Sequence, residues 1–438
     1  MRRLRLLPLV AATYFMVSGG PYGLEDIVGQ AGYARALLLL CIVPFLWSLP
    51  TALMIGELAG ALPEEGGFYI WVSRALGRFW GFQEAWLSLA ASIFDMAIYP
   101  ALTVAYLNQL NPALTTGHRG LAWSLVVIMI CVAWNLRGAY SVGQGSLWML
   151  ALLLTPFLGI LACGLWRVGQ HSLQSASFAR TSHGSLVTAL LFVLWNYMGW
   201  DNASTIAGEV ENPRRNYLRS TLAAVLLVTA SYLLPVAIVA FSGIPASSFV
   251  TGSWVAAART LANTHFSDRF ASWLALSVIA GGALTGVAMF NALTLSYARV
   301  PAAMASDGLL PKVLARRGNN GVPWVAVLVC AAAWAFALDL NLTRLLELDI
   351  LLYGLSLILE FIALAVLRWR EPSLARPFRV PGGRWGAVVI GIAPTLLIFF
   401  TIVAARADRL SSGLPAILFG TILAAAGPLF YLCTLRRK

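Results

Sequence analysis

Charge is scarce in this chain. Asp, Glu, Lys and Arg together make up 11% of 438 residues, where soluble domains carry about 25%, while 59% of the residues are apolar and the mean hydropathy is +0.78. That composition excludes a soluble enzyme, and it excludes a disordered chain, which needs low hydrophobicity and high charge. Cysteine is thin as well. Cys41, Cys131, Cys163, Cys330 and Cys433 each stand alone in an apolar run, which excludes a disulfide scaffold and reads as small hydrophobes inside helices rather than redox or metal ligands. Histidine is down to four residues. No HExxH, GxSxG or Walker run occurs, so neither a metal, a cofactor nor a catalytic centre is expected.

What the chain has is long hydrophobic runs. Crossing a bilayer takes about 20 apolar residues, and twelve such stretches fall at roughly 6–29, 36–61, 80–107, 120–136, 146–166, 185–208, 217–241, 271–298, 323–340, 349–368, 386–404 and 414–434. The fold class expected is therefore an all-α integral membrane protein with twelve transmembrane helices, forming a single transport domain over 1–438. The opening MRRLRLLPLVAATYFMV imitates a secretory signal, but no small-x-small cleavage site follows, and it reads as an uncleaved first helix.

With both termini cytoplasmic, 21 of the 30 Lys and Arg fall on the inner side, among them Arg2, Arg3 and Arg5, the Arg214, Arg215, Arg219 cluster, and the Arg436, Arg437, Lys438 tail. This is the positive-inside pattern. The pI of about 9.9 and the net charge of +12 thus reflect topology in the cell inner membrane and call for no nucleic acid. His118, His171, His183 and His265 all land in outer connections.

Two spans look interrupted. Ser18-Gly19-Gly20-Pro21-Tyr22-Gly23 places three glycines and a proline within six residues, and Trp195-Asn196-Tyr197-Met198-Gly199-Trp200-Asp201-Asn202 puts polar groups inside an apolar segment. Irregular backbone at membrane depth is tolerated where it lines a cavity or is buried in protein. Breaks at matching positions of two halves point to an inverted-repeat transporter with its site between the halves. The rival reading, two unrelated glycine kinks, explains the matched positions less well.

Acidic residues lie within the spans: Glu25 and Asp26 in the first, Glu57 in the second, Glu84 and Asp95 in the third, Asp201 in the sixth, Glu360 in the tenth. Each would cost about 2.5–3.5 kcal/mol facing lipid at the helix centre. Spacing puts Glu84, Ser88, Asp95, Tyr99 and Tyr106 on one helical stripe, and Asp349, Tyr353, Ser356 and Glu360 on another. A cavity rich in carboxylates, without Lys or Arg near the midplane and walled by Trp195, Trp200, Tyr99 and Tyr353, favours a cation through ammonium–carboxylate pairing and cation–π attraction. Glu25 is preferred to Asp26 as the cavity-facing member of its pair, because the two point about 100° apart on a helix. Glu57 and Glu84 lie toward the cytoplasmic ends, where structural or gating roles are expected. Asp95, Asp201 and Glu360 have as their rival reading protonated carboxyls bonded between helices. A zwitterionic amino acid fits less well, since Glu25 and Asp26 would repel its carboxylate at the first break.

The runs GELAGALPEEGGFYIWVSRALG, AGEVENPRRNY and ARVPAAMASDGLLPKVLA resemble cytoplasmic motifs of the amino acid–polyamine–organocation superfamily. SGGPYGLEDIVG, FWGFQE, DMAIYP, NYMGWDNAS and ILEFIALAVLRWREPSLARPFRVP are similar to its polyamine-uptake branch, whose members are described as proton symporters. The resemblance implies a five-plus-five inverted repeat with discontinuous helices one and six (1–166 and 185–370) and two further helices (386–434), with the ligand between spans one, three, six, eight and ten. It implies that Ser18, Gly19 and Gly20 form the first unwound motif, that Asp201 serves gating and proton sensing, and that Trp195 stacks on the cargo. Asn291 stands close to where arginine–agmatine exchangers of this superfamily place a second aromatic. The fifth span lacks the lysine that some proton-coupled relatives carry, so a proton would use a carboxylate, while Thr285 and Thr294 leave a sodium site open.

The expected function is secondary active import of putrescine- or spermidine-like cations, proton-coupled, by alternating access. Glu25, Asp95, Asp201 and Glu360 would hold ammonium groups, Trp195, Trp200, Tyr99 and Tyr353 would wall the site, and Asp201, with Glu57, would serve proton coupling or gating. The alternative is a cationic amino-acid permease or an amine–amino-acid exchanger. A membrane sensor lacks an output domain here, and an intramembrane enzyme lacks a nucleophile, base and metal set. The partners expected are a small amine, the lipid bilayer and no second chain, that is, a monomer.

Overall fold

The computed structural model describes residues 3–170, 184–263, 266–340, 342–405 and 416–435. Arg2, His171, His183, His265 and the Arg436, Arg437, Lys438 tail, on which the orientation argument partly leans, lie outside the described residues.

Regular structure among the described residues is helical. The α-helices are α1 (Leu6–Val17), α2 (Glu25–Val43), α3 (Leu49–Ala61), α4 (Phe68–Leu76), α5 (Arg78–Leu110), α6 (His118–Asn135), α7 (Ala139–Gln170), α8 (Leu186–Asn196), α9 (Pro213–Phe241), α10 (Trp254–Asn263), α11 (Asp268–Tyr297), α12 (Arg299–Ser306), α13 (Trp324–Ala335), α14 (Leu342–Arg370), α15 (Gly383–Ala405) and α16 (Ala416–Leu435). A 3₁₀ segment, Trp200–Glu209, continues beyond α8. Nine segments among the described residues are long and apolar enough to cross a membrane, and α1 and α13 are shorter apolar helices. The chain is thus a multi-pass, all-helical membrane protein. Its exposed apolar side chains, such as Trp148 on α7, Trp385 and Phe399 on α15 and Leu429 on α16, are what a lipid-facing belt requires.

Backbone chemistry decides where the helices stop. α1 ends at Val17, Ser18 is extended, and Gly20 and Gly23 take φ of 72° and 92°, values that residues with a Cβ rarely adopt. The freed polar groups are satisfied one by one. Ser18 Oγ accepts from the Gly20 amide (2.9 Å), Glu25 Oε2 from the Gly23 amide (2.7 Å), Pro21 O from the Trp254 indole (2.8 Å) and Gly19 O from the Thr285 hydroxyl (3.1 Å). Gly32, at φ 73° and ψ 164°, then splits α2, so its first turns continue the first segment and the remainder runs through a π turn at Pro44–Ser48 into α3.

The second break mirrors the first. α8 stops at Asn196, Gly199 sits at φ 90°, and a Cβ there would lie 2.4 Å from Met16 O. Only glycine lets the two breaks abut. The Asn196 carbonyl accepts from Tyr232 (2.8 Å), Ala203 O from Tyr217 (2.9 Å) and Asn202 O from Ser296 (2.8 Å). At the start of the chain, Leu4 pairs with Val210. Its amide donates to Glu209 O and its carbonyl accepts from Glu211 N–H, both at 2.8 Å, which ties the entry of α1 to the end of the second interrupted segment.

Around these breaks α5 runs unbroken through Pro100 and packs along α11 and α14. Glycine again sets the approach: a Cβ on Gly282 would stand 2.3 Å from the Tyr106 ring, and one on Gly286 would stand 2.2 Å from Tyr99 O. At the α4 end, Arg74 makes a two-pronged bond to Glu371 (3.0 and 2.8 Å). That guanidinium holds the Glu371 carboxyl below its ordinary range.

Candidate functional site

Between the breaks, α5, α11 and α14 lies a small cavity of about 10 Å³, at the threshold for one water molecule. Its walls are Met16 and Val17 from α1, Asp95 and Tyr99 from α5, Trp195, Met198, Gly199 and Asn202 from the second break, Tyr297 from α11, and Asp349 and Tyr353 from α14. Two carboxylates face this space, and the lining includes no Lys, Arg or His.

The walls are locked by hydrogen bonds. Asp95 Oδ1 accepts from the Tyr99 hydroxyl at 2.5 Å and from the Trp195 indole at 3.2 Å. Its Oδ2 lies 3.5 Å from the Tyr297 hydroxyl, at the limit of a hydrogen bond. The rings of Tyr99 and Trp195 stack at 6.1 Å with 24° between planes, so Asp95 orients an aromatic wall as well as supplying charge. On α14, Tyr353 accepts from the Gly199 amide (3.0 Å) and donates to Asp201 Oδ1. One phenol therefore joins the second break to α14. Asp349, one turn from Tyr353, is 2% exposed, and no donor among the described residues reaches its carboxylate.

Of the residues chosen from the sequence, the structure brings Asp95, Tyr99, Trp195 and Tyr353 together on the cavity wall and places Asp201 directly behind Tyr353. Others stand apart. Glu25 does not line the cavity: it is fully buried, it accepts from the amides of Gly23 and Gly252 (2.7 and 3.1 Å), and the Tyr106 hydroxyl donates to it. Its carboxylate closes the break rather than the chamber. Ser18, Gly19 and Gly20 shape that break without reaching the cavity, and Trp200 is fully buried outside it, its indole N–H without a partner among the described residues. Glu57 is bound by the guanidinium of Arg368, by Arg376 at 3.0 Å and by the Val380 amide at 2.8 Å, an anchor between α3 and the chain beyond α14. Glu360 is fully buried, and both its oxygens lack a hydrogen bond among the described residues. Asn291 is bonded to Asn135 (2.7 Å), away from the cavity, and Thr294 to Phe290 O (2.7 Å).

Sequence reasoning passed over Tyr297, Met16, Met198 and Asn202, and put Asp349 on a stripe without choosing it. The stripe was the usable signal for Asp349, since it shares a helical face with Tyr353. Nothing local marks Tyr297, which is one of many tyrosines near helix ends.

Chemically, the site offers two buried carboxylates, three phenols and an indole, and the acceptors outnumber the donors facing them. Carboxylates so placed pair with ammonium donors, and aromatic faces beside them attract cations.

Residues 10–425 match the amino acid permease family. The chain is 35% identical to a probable polyamine transporter of Arabidopsis thaliana over 91% of its own length and 78% of that protein's. It is 32% identical to the polyamine transporter RMV1 of Arabidopsis thaliana (97% and 85%) and 30% identical to the polyamine transporter PUT1 of Oryza sativa subsp. japonica (97% and 78%). A serine/threonine exchanger of Bacillus subtilis, SteT, is 26% identical over 81% of the chain. A multi-pass helical bundle with two abutting backbone breaks, matched by permeases along nearly its whole length, is a transporter and not an enzyme, and the chain belongs to the amino acid permease family.

Proposed function

We propose that this permease imports polyamines of the putrescine and spermidine kind across the cytoplasmic membrane, driven by the proton gradient. The observation that carries the reading is the pair Asp95 and Asp349 lining one cavity with no basic residue beside them. Burial of carboxylates without a counter-ion is costly, and a cargo with two or more ammonium groups, admitted when the halves part and widen a space of only about 10 Å³ in the closed bundle, offsets that cost at both. Tyr99, Trp195 and Tyr353 then lie against its methylene chain and charges. The polyamine-transporter names of the relatives support the same cargo.

The amino-acid alternative meets a physical obstacle at the first break. A substrate carboxylate needs free N–H groups there, but the Gly20 amide already donates to Ser18 and the Gly23 amide to Glu25. In the arrangement proposed, α1 with the first turns of α2 forms span one, α8 with its 3₁₀ segment forms span six, and α13 forms span nine, which makes twelve spans in two inverted halves of five plus α15 and α16. The halves rock around the cavity, with both termini cytoplasmic, and one chain suffices. Thr285, bonded to Gly19 O, keeps a sodium ion as the alternative coupling partner.

Uptake into proteoliposomes of labelled putrescine, spermidine, arginine and serine, with and without a pH gradient, tests this. The expected result is gradient-dependent accumulation of both amines with little arginine or serine, and a clear preference for arginine sinks the polyamine reading.

A further inference from the structure

Below the cavity lies a second acidic group to which the cargo reading assigns no work. Along α14, Glu360 follows Asp349 by eleven residues, and along α5, Glu84 precedes Asp95 by the same interval, so each lies about three turns, or about 16 Å, nearer the α4 end than the carboxylate of the cavity. The two helices are antiparallel neighbours, and the interval brings the second pair together. Ser356, one turn before Glu360, donates to Glu84 Oε1 at 2.8 Å, and Glu360 stands within electrostatic reach of both Glu84 and Asp201.

Three of the four oxygens of this pair, Glu84 Oε2 and both oxygens of Glu360, are buried without a hydrogen-bond partner among the described residues. Neither side chain is exposed. The charged and titratable groups on the surrounding elements bring no counter-ion: Asp201 is bonded to Tyr353, Glu57 of α3 takes Arg368 and Arg376, Arg74 of α4 takes Glu371, Arg370 bonds Ala75 O, Arg384 of α15 is exposed, and α16 brings only Tyr431 and Cys433. Two carboxylates sharing a dry site cannot both stay ionised. Neither glutamate lines the cavity, whose wall includes Tyr353, the phenol that donates to Asp201.

We propose that Glu84 and Glu360 form the carrier of the coupled proton, a pair that holds one proton between its carboxyls while the bundle is closed. When the halves part at the α4 end, water reaches the pair and the proton leaves to the cytoplasm. The opposite opening returns a proton from outside. Asp201 and Tyr353 link this step to the cavity. The inference rests on the proton-driven transport proposed above and places its coupling site on residues that do not line the cargo cavity.

The test compares accumulation with exchange. In proteoliposomes, Glu360→Gln and Glu84→Gln should lose putrescine accumulation driven by a pH gradient, and should lose the putrescine-evoked proton uptake read by a trapped pH dye. Exchange of internal for external putrescine, which moves no net proton, should persist at the wild-type rate and become independent of pH. Retained exchange also certifies that the variants fold. Gradient-driven accumulation that survives in both variants overturns the proposal. So does a parallel loss of exchange and of putrescine binding, which would make Glu360 a ligand of the amine. Wild-type protein that accumulates no polyamine under any gradient removes the transport reading itself, and this one with it.

Discussion

Asp95 and Glu57 are both buried carboxylates in the helical bundle, and their neighbours give them opposite tasks. Glu57 faces two guanidinium groups and a backbone amide, so its charge is already neutralised. Removing one member of such a pair costs about 3–5 kcal/mol. Asp95 has only neutral donors from Tyr99, Trp195 and Tyr297. Thermal unfolding in detergent should therefore show a large fall in Tm for Glu57→Gln and little change for Asp95→Asn. Binding should reverse the order. A charge-assisted hydrogen bond contributes about 1.5–3 kcal/mol, so Asp95→Asn should weaken putrescine and spermidine by about ten- to a hundredfold and a monoamine much less, as read from competition against labelled putrescine. Equal losses for monoamine and diamine would give Asp95 a structural role instead. At this scale the sequence was legible where periodicity applies: the stripe of Asp95 and Tyr99 and that of Asp349 and Tyr353 do meet across one cavity. It was not legible where a partner comes from a distant helix. Spacing can show that Glu25 and Asp26 diverge, but not that the Tyr106 hydroxyl and the Gly252 amide stand where Glu25 points.

Helix boundaries were readable for a different reason. Glycine and proline act on their own backbone, so the breaks after Val17 and Asn196 follow from the local sequence alone, whereas α4, α10 and α12 in the connections have their place set by packing. The contact between α5 and α11 shows what a missing side chain does at the scale of an element. Gly282 lies against the Tyr106 ring, and Tyr106 in turn donates to Glu25, which caps the first break. Gly282→Val would push that ring aside and withdraw the phenol from Glu25, leaving a buried carboxylate short of a donor. Overpacking of this kind costs about 1–3 kcal/mol, and the lost hydrogen bond adds to it. Transport by Gly282→Val should fall below detection while Gly282→Ala keeps part of it. Tyr106→Phe alone, which keeps the ring and removes the hydroxyl, should lower transport in the same way, and full transport in Tyr106→Phe would show that bulk at the contact, rather than the lost hydroxyl, limits Gly282→Val.

For the whole molecule, the orientation proposed rests on charge. α5 starts and α14 ends at the same side of the bundle, where Arg74, Arg78, Arg370 and Arg376 gather, and the connection after α12 adds Lys312, Arg316 and Arg317. The opposite side, at the junction of α5 and α6, carries Arg119 and His118. Basic residues in short connections stay on the cytoplasmic side, so the orientation proposed puts the α4 end in the cytoplasm and the acidic pair on α5 and α14 on the route from the cavity to that compartment. Thr116 and Asn319 are exposed on opposite sides. In a variant with Cys41 and Cys433 replaced by alanine, a membrane-impermeant maleimide should label Thr116→Cys in intact cells and label Asn319→Cys only after permeabilisation. Reversed labelling would turn the bundle over. A proton released at the α4 end would then enter the outer medium, and the same cavity, with its carboxylates and aromatic walls unchanged, would serve export.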